Sequence, residues 1–495
     1  MLDYLIKNGH VVDGSGKKLY IASIGISNGK IITNVSEDTE AIEIIDAKNK
    51  VVSPGFIDVH SHDDFNVITD KNVSHNILQG ITSMIVGNCG FGVSPFISGA
   101  EQMSALYEVK DIASKWNSYE EYFAILSKNK IAINVGALVG HHTIRRHSLE
   151  EMKKEVPNKN ELEKMANLLI EGMESGCLGL STGLVYEPGR YSVSNEIIEL
   201  AKKIQKYDGV YVSHMRNEAE GLIESIIETA NIGLEANVKV EISHLKSVGK
   251  SNWGKSEQAL DLIEKFSDDG LDINMDQYPY TARSTMLKAL LLNDTFNYEN
   301  DLSPMGKSMP NEVLLCSVPN EKSFEGKTLE DIQKLYDLPI IETVNKLLDD
   351  VSDKILVAAF GMNENDVQNI MKNDLTMIGT DGIDVGSKPH PRAWGTYPRI
   401  LEEYVGRLGI LTLENAINKM THMPAEKFGI KNRGLIKNNY FADLVIFESD
   451  KIKDNATFTN PKNGPTGIDY VFVNGKKAVE KGHEKDVFSG SIIKR

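Results

Sequence analysis

The chain has 495 residues, 54 Lys+Arg against 70 Asp+Glu, a net charge of −16 and an apolar fraction of 41%. That length calls for two or more structural units and that apolar content for a sizeable core, which excludes a disordered chain. The acidic balance argues against nucleic acid or an anionic membrane as partner, and three scattered cysteines (Cys89, Cys177, Cys316) without a CxxC pair suit a reducing compartment better than a disulfide framework.

The N-terminal MLDYLIKNGHVVDGSG has no basic segment followed by a long apolar one, so no signal peptide is read. No run reaches the ~18 uninterrupted apolar residues of a membrane-spanning helix, and a cytoplasmic setting is expected. The first fifty residues read as short β-branched strands punctuated by Asn-Gly, Asp-Gly and Pro-Gly turns. The same style returns near the other end, in FADLVIFES and GIDYVFVNGKKAVEKG. The economical reading pairs residues 1–54 and 435–495 into one small β-sandwich.

Between these ends, residues 55–434 alternate strand and helix. Eight apolar strand candidates follow one another: PGFIDVH, ITSMIVGN, IAINVGALVG, GCLGLSTGL, GVYVSHM, VKVEISHL, LDINMDQY and LTMIGTD. Most are separated by segments such as SNEIIELAKKIQKY, in which apolar residues recur every three or four positions. Eight such repeats predict an α/β fold of the (β/α)8 TIM-barrel kind. One stretch between strands seven and eight, about residues 286–356, is far longer than the ~2–6 residues of an ordinary connection and reads as an insertion.

Barrel enzymes carry their chemistry at the C-terminal ends of the strands. Strand one ends in His60-Ser61-His62, and alternate residues on a strand project from one face. Strand two ends at Cys89, strand five at His214, strand six at His244 and strand eight at Asp381. Each residue alone has an ordinary explanation, a hydrogen-bonded histidine, a packed cysteine or a turn aspartate. Imidazole, thiolate and carboxylate gathered at one end of one barrel are instead a donor set suited to Zn²⁺. His141, His142 and His147 read as part of an Arg-rich helix start, Cys177 and Cys316 as structural, and the Lys/Glu-rich run 150–164 as a solvated helix face.

VVSPGFIDVHSH, GTDG and the C-terminal strands resemble the amidohydrolase superfamily. GNCGFGVSP, LVGHHTIR, STGLVYEPG, VSHMRNE, EISHLK and DQYPYTA resemble, more narrowly, its N-acyl-D-amino-acid deacylases (D-aminoacylases). The resemblance covers essentially the whole chain. It implies Cys89, His214 and His244 as ligands of one tightly held zinc, with His60 and His62 holding a second, weaker metal or only shaping the pocket. It implies Asp381 beside the metal as ligand and general base, and Tyr186 as the group polarising the scissile carbonyl. It further implies Lys246, Arg392 and Tyr278 (or Tyr280, in the same YPY) on the substrate's α-carboxylate, and His141 in the pocket wall. No lysine ends strand four, which argues against a hydantoinase. The implied reaction is zinc-dependent hydrolysis of a small-molecule N-acyl-D-amino acid to a carboxylate and the free D-amino acid. The alternatives are a dipeptidase for C-terminal D-residues, a cyclic amide hydrolase and a non-catalytic scaffold. In the apolar region after YPYTARST only Arg283 and Lys288 are cationic, so a neutral or hydrophobic D-residue is the expected side chain; spacing leaves the oligomeric state open.

Overall fold

Gly55 is where the chain leaves one sheet for another. A Cβ there would lie 2.2 Å from the Thr82 side chain, so the backbone passes only because the residue is glycine. Before it, Val51–Pro54 belongs to a nine-stranded sheet; after it, Phe56–Asp58 opens the barrel. This computed structural model describes residues 1–70, 72–104, 106, 112, 115–298 and 302–495.

The barrel strands are β1 (Phe56–Asp58), β2 (Ile81–Val86), β3 (Asn134–Ala137, continued by Val139–Gly140), β4 (Gly179–Gly183), β5 (Val210–His214), β6 (Lys239–Ile242), β7 (Ile273–Gln277) and β8 (Thr376–Ile378). They pair in parallel in that order, β1 through β3 in one ladder and the end of β3 through β8 in another. The ring is completed just past the strand ends. Asp381 N donates to His60 O at 2.7 Å, His62 N donates to Gly382 O at 3.2 Å, and Ser61 bridges Gly382 in parallel. The buried Asp58 carboxylate fastens the seam, accepting from Thr380 N (2.9 Å), Thr380 Oγ1 (2.6 Å) and His60 N (3.1 Å). Strands buried on both faces read as largely apolar segments without a clean alternation, which is why the eight are legible.

Helices cover the outside through apolar stripes. In Lys159–Ser175 the buried Met165, Ala166, Leu169, Gly172 and Met173 recur at helical spacing, Asn158 and Glu161 form a capping box, and Gly176 ends the helix at φ +110°. Among the described residues no helix is long and apolar enough to cross a membrane.

The nine-stranded sheet joins both chain ends where Val51–Pro54 pairs antiparallel with Leu444–Phe447. It encloses its own apolar cluster, including Ile6, Ile24, Ile45, Leu444 and Phe472. Two boundaries differ from the sequence expectation. The last residues, 490–495, leave this unit and run along β3: Gly490 N donates to Ile131 O, Val135 N to Ser491 O and Ile493 N to Val135 O. Ile493 packs with Ile57, Ile85, Val210 and Val212, so the tail contributes to the barrel's core. Gly490 permits the approach, since a Cβ there would meet Ile133 O at 2.1 Å. The insertion is also wider than 286–356: Ala282–Met286 and Leu356–Phe360 pair antiparallel, and Val313–Ser317 completes a three-stranded sheet with a separate core around Leu287, Leu290, Phe296 and Leu315. The edge strand ARSTM carries no apolar alternation and finds its partner only through a pairing across some seventy residues, so local pattern did not reveal it.

Replacing Asp58 with alanine strips three buried donors of their acceptor at the barrel seam. We expect Asp58→Ala to lower unfolding stability by about 2–3 kcal/mol, measured by denaturant titration, with Asp58→Asn losing less. An unchanged midpoint in the alanine variant would contradict the role assigned to the seam.

Candidate active site

Six side chains of metal-binding type lie at or just beyond the C-terminal ends of five barrel strands: His60 and His62 after β1, Cys89 after β2, His214 ending β5, His244 after β6 and Asp381 after β8. Cys89, His244 and Asp381 have left-handed backbones, with φ of +53°, +37° and +48°. Such conformations cost about 1–3 kcal/mol each in a non-glycine residue and persist where surrounding bonds impose them. Around Cys89 those bonds are explicit. Ser181 Oγ accepts from Gly90 N at 3.1 Å and donates to Gly87 O, and Asn88 Nδ2 donates to Ile85 O at 3.0 Å. Gly87 (φ +85°) has no room for a Cβ, which would sit 2.3 Å from Leu138 O.

The donor atoms fall into two groups that share the Cys89 sulfur: His60, His62, Cys89 and Asp381, and Cys89, His214 and His244, each within 4.8 Å of one another. Cys89 Sγ lies 3.6 Å from His214 Nδ1, 3.5 Å from His244 Nε2 and 3.3 Å from His60 Nε2. Nitrogen and sulfur ligands at roughly 2.0 and 2.3 Å from one tetrahedral zinc are themselves about 3.5 Å apart, so this spacing fits the ion. On the other side, Asp381 Oδ1 lies 3.2 Å from His62 Nε2 and 3.6 Å from His60 Nε2.

Carboxylates steady the imidazoles from behind. His60 Nδ1 pairs with Asp276 Oδ2 at 3.0 Å, and His244 Nδ1 lies 3.1 Å from Glu218 Oε1, the arrangement that fixes ring orientation in metal-binding histidines. Glu218 also receives Lys246 Nζ at 2.6 Å and faces His214 Nε2 at 3.8 Å. Burial alone would raise its pKa, but Lys246 and the two imidazoles hold it well below the usual carboxylate range. Asp381 is likewise held low against its burial, chiefly by Arg392, whose Nη1 lies 2.7 Å from Oδ2. Cys89 follows the same pattern: burial disfavours the thiolate, and the imidazoles of His60 and His244 more than reverse that.

An enclosed cavity opens over this cluster, lined by His62, Cys89, His214, His244 and Asp381 and, on the facing side, by Tyr186, Lys246, Tyr278 and Arg283. The Tyr186 hydroxyl lies 3.1 Å from Thr285 Oγ1, and its ring meets the edge of His214 at 4.9 Å. Burial pushes both the Tyr186 and the Tyr278 phenols up, so each keeps its proton. Arg392 lies behind, its guanidinium 4.5 Å from the Tyr278 ring centre. Two sequence-selected residues are elsewhere. His141 is outside the cavity wall, its Nε2 2.7 Å from Glu196, which also pairs with Arg145. Tyr280 points away from the cavity and donates to Asp454 at 3.1 Å, leaving Tyr278 as the tyrosine of the YPY that faces inward. Sequence reading passed over Glu218, Asp276 and the placement of Arg283. Asp276 is itself near the end of a barrel strand and meets the criterion that selected the other ligands; Glu218 is four residues beyond His214.

Comparison with known proteins places this geometry in context. The model of the amidohydrolase family matches residues 43–215 and 328–479. The D-aminoacylase of Alcaligenes xylosoxydans xylosoxydans is 33% identical, over 100% of this chain and 98% of that protein. The N-acyl-D-glutamate deacylase of the same organism is 32% identical, over 96% and 93%. The crystal structure of N-acyl-D-glutamate deacylase from Bordetella bronchiseptica, complexed with zinc and a phosphonate inhibitor, superposes with a TM-score of 0.90 at 29% identity, covering 100% of both chains.

Glu218 faces Lys246, His244 and His214 together, and its removal takes the counter-charge from a buried ammonium. Glu218→Ala is expected to cost about 3 kcal/mol of stability by denaturant unfolding, and the double variant Glu218→Met/Lys246→Met to recover part of that loss. A double variant less stable than the single one would count against this ion-pair account.

Proposed function

The chain belongs to the amidohydrolase family, in its D-aminoacylase branch, and from that premise we propose that it hydrolyses the amide bond of N-acyl-D-amino acids, releasing a carboxylate and the free D-amino acid. The observation that carries this reading is the Cys89 sulfur at about 3.5 Å from two imidazole nitrogens, with the Asp381 carboxylate across the same cavity. Cys89, His214 and His244 hold the principal zinc in this reading, and His60 and His62 with Asp381 offer a second position. Zinc in such a site brings the pKa of water from 15.7 to about 7 and polarises a carbonyl oxygen.

The protein's own groups supply the remaining steps. Asp381 Oδ1 faces the histidines and takes the proton of the attacking water, then delivers it to the departing amine. Arg392 on Oδ2 keeps that carboxylate ionised and aimed. The Tyr186 phenol, still protonated, donates to the carbonyl oxygen as negative charge gathers there. Lys246 and Tyr278 line the cavity, with the Arg392 guanidinium behind at 4.5 Å from the Tyr278 ring centre, and in this reading the three hold the α-carboxylate.

The test is steady-state hydrolysis of matched N-acetyl-D- and N-acetyl-L-amino acids by the zinc-loaded protein. Turnover confined to the D series is expected, with kcat reduced by about 10²–10⁴-fold in Asp381→Asn. Equal turnover of the L series, or full activity in the variant, would overturn the reading. In a separate measurement, Cys89→Ala is expected to lose the tightly held zinc after dialysis, by elemental analysis, whereas Cys177→Ala and Cys316→Ala retain it because both thiols are buried outside the donor cluster.

A further inference from the structure

One cation lining the cavity forms no ion pair among the described residues. Arg283 lies on the insertion strand Ala282–Met286, is only 3% exposed and lines the cavity over the metal-type cluster. Among the described residues its Nε and Nη1 have no hydrogen-bond partner, and Nη2 has only a 3.5 Å contact with Ser308 Oγ. Every other cation at the site is matched, Lys246 by Glu218 and Arg392 by Asp381. A guanidinium stays charged at any accessible pH, and burying one without an anion costs several kcal/mol. The same lining contributes the apolar side chains of Met286, Met305, Leu106 and Ile383 beside its polar groups. A neutral or hydrophobic side chain of the substrate would therefore leave the charge buried and unmatched, which reverses the sequence-based expectation. Lys288, the other cation considered, lines a separate outer cavity.

Resting on the deacylase reading above, we propose that Arg283 is the specificity-determining residue of this site and receives a second carboxylate of the substrate, carried on the side chain of the D-residue. Arg283 shares the cavity lining with Lys246 and Tyr278, the groups assigned to the α-carboxylate. A carboxylate reaching from the Cα of a D-glutamate or D-aspartate meets Arg283 while the α-carboxylate stays with Lys246, Tyr278 and Arg392. The relatives do not decide the matter, since a D-aminoacylase and an N-acyl-D-glutamate deacylase are similar to this chain to nearly the same degree.

The experiment compares kcat/KM of the zinc-loaded full chain for N-acetyl-D-glutamate, N-acetyl-D-aspartate, N-acetyl-D-glutamine, N-acetyl-D-methionine and N-succinyl-D-methionine, in wild type, Arg283→Met and Arg283→Lys. Glutamate and glutamine substrates have nearly the same shape, so their ratio isolates the charge. Wild type is expected to prefer an acidic side chain over glutamine by at least about tenfold. Arg283→Met should lose about 100-fold on the acidic substrates while changing the glutamine substrate less than about threefold, and Arg283→Lys should keep part of the preference. An independent readout is the melting temperature of Asp381→Asn, which should rise with N-acetyl-D-glutamate more than with N-acetyl-D-glutamine, the difference vanishing when Arg283→Met is added. Equal use of the acidic and neutral substrates, an equal loss on both in Arg283→Met, or dependence on Arg283 only for the succinyl substrate would overturn the proposal while leaving the deacylase reading intact. Failure to turn over any N-acyl-D-amino acid would overturn both.

Discussion

The seam between the first and last barrel strands is the contact on which the rest of the molecule depends. Asp381 N to His60 O and His62 N to Gly382 O are backbone bonds that complete the ring, and three of these residues, His60, His62 and Asp381, carry side chains into the donor cluster. Closing the barrel and assembling the site are thus one event. Asp58 ties Thr380 and His60 together beneath the cluster, so the positions of His60 and Asp381 are fixed by groups that never face the cavity. The left-handed backbones of Cys89, His244 and Asp381 are stored strain at this rim, sustained because the strands they follow are held on both sides.

Charge is the second organising quantity. Taken out of water, each ionised group needs a partner, and the site supplies them in pairs: Glu218 with Lys246, Asp381 with Arg392, Asp276 with His60. The pairing keeps Glu218 and Asp381 ionised against their burial, and burial leaves the phenols of Tyr186 and Tyr278 as neutral donors. One cavity therefore contains a proton acceptor, hydrogen-bond donors and cations without their mutual neutralisation. Among the described residues Arg283, on the inserted sheet, stands outside this pairing.

Much of this was legible in the sequence because parallel barrel strands are buried on both faces and therefore read as largely apolar segments that end abruptly. His60, Cys89, His214, His244 and Asp381 announce themselves at those ends, and the structure brings them together. What was not legible depends on pairing between distant segments. Arg283 reaches the cavity because Ala282–Met286 pairs with Leu356–Phe360, a register no local pattern encodes. Asp276 is hidden within MDQYPY, where polar and aromatic residues interrupt the strand signal. His141 and Tyr280 show the converse: each belongs to a motif that resembles the family's, yet each is occupied by a partner away from the cavity, Glu196 and Asp454. The tail beyond residue 490 has β-branched residues like the sheet before it, and only its glycine and the space beside Ile133 direct it to the barrel.

The central claim is that barrel closure places one cysteine sulfur and imidazole nitrogens in a single zinc shell. X-ray absorption at the zinc edge of the loaded protein tests it most directly. The account predicts one sulfur at about 2.3 Å together with nitrogen or oxygen ligands at about 2.0–2.1 Å, the sulfur disappearing in Cys89→Ser. A shell of nitrogen and oxygen alone in the wild-type protein would contradict it.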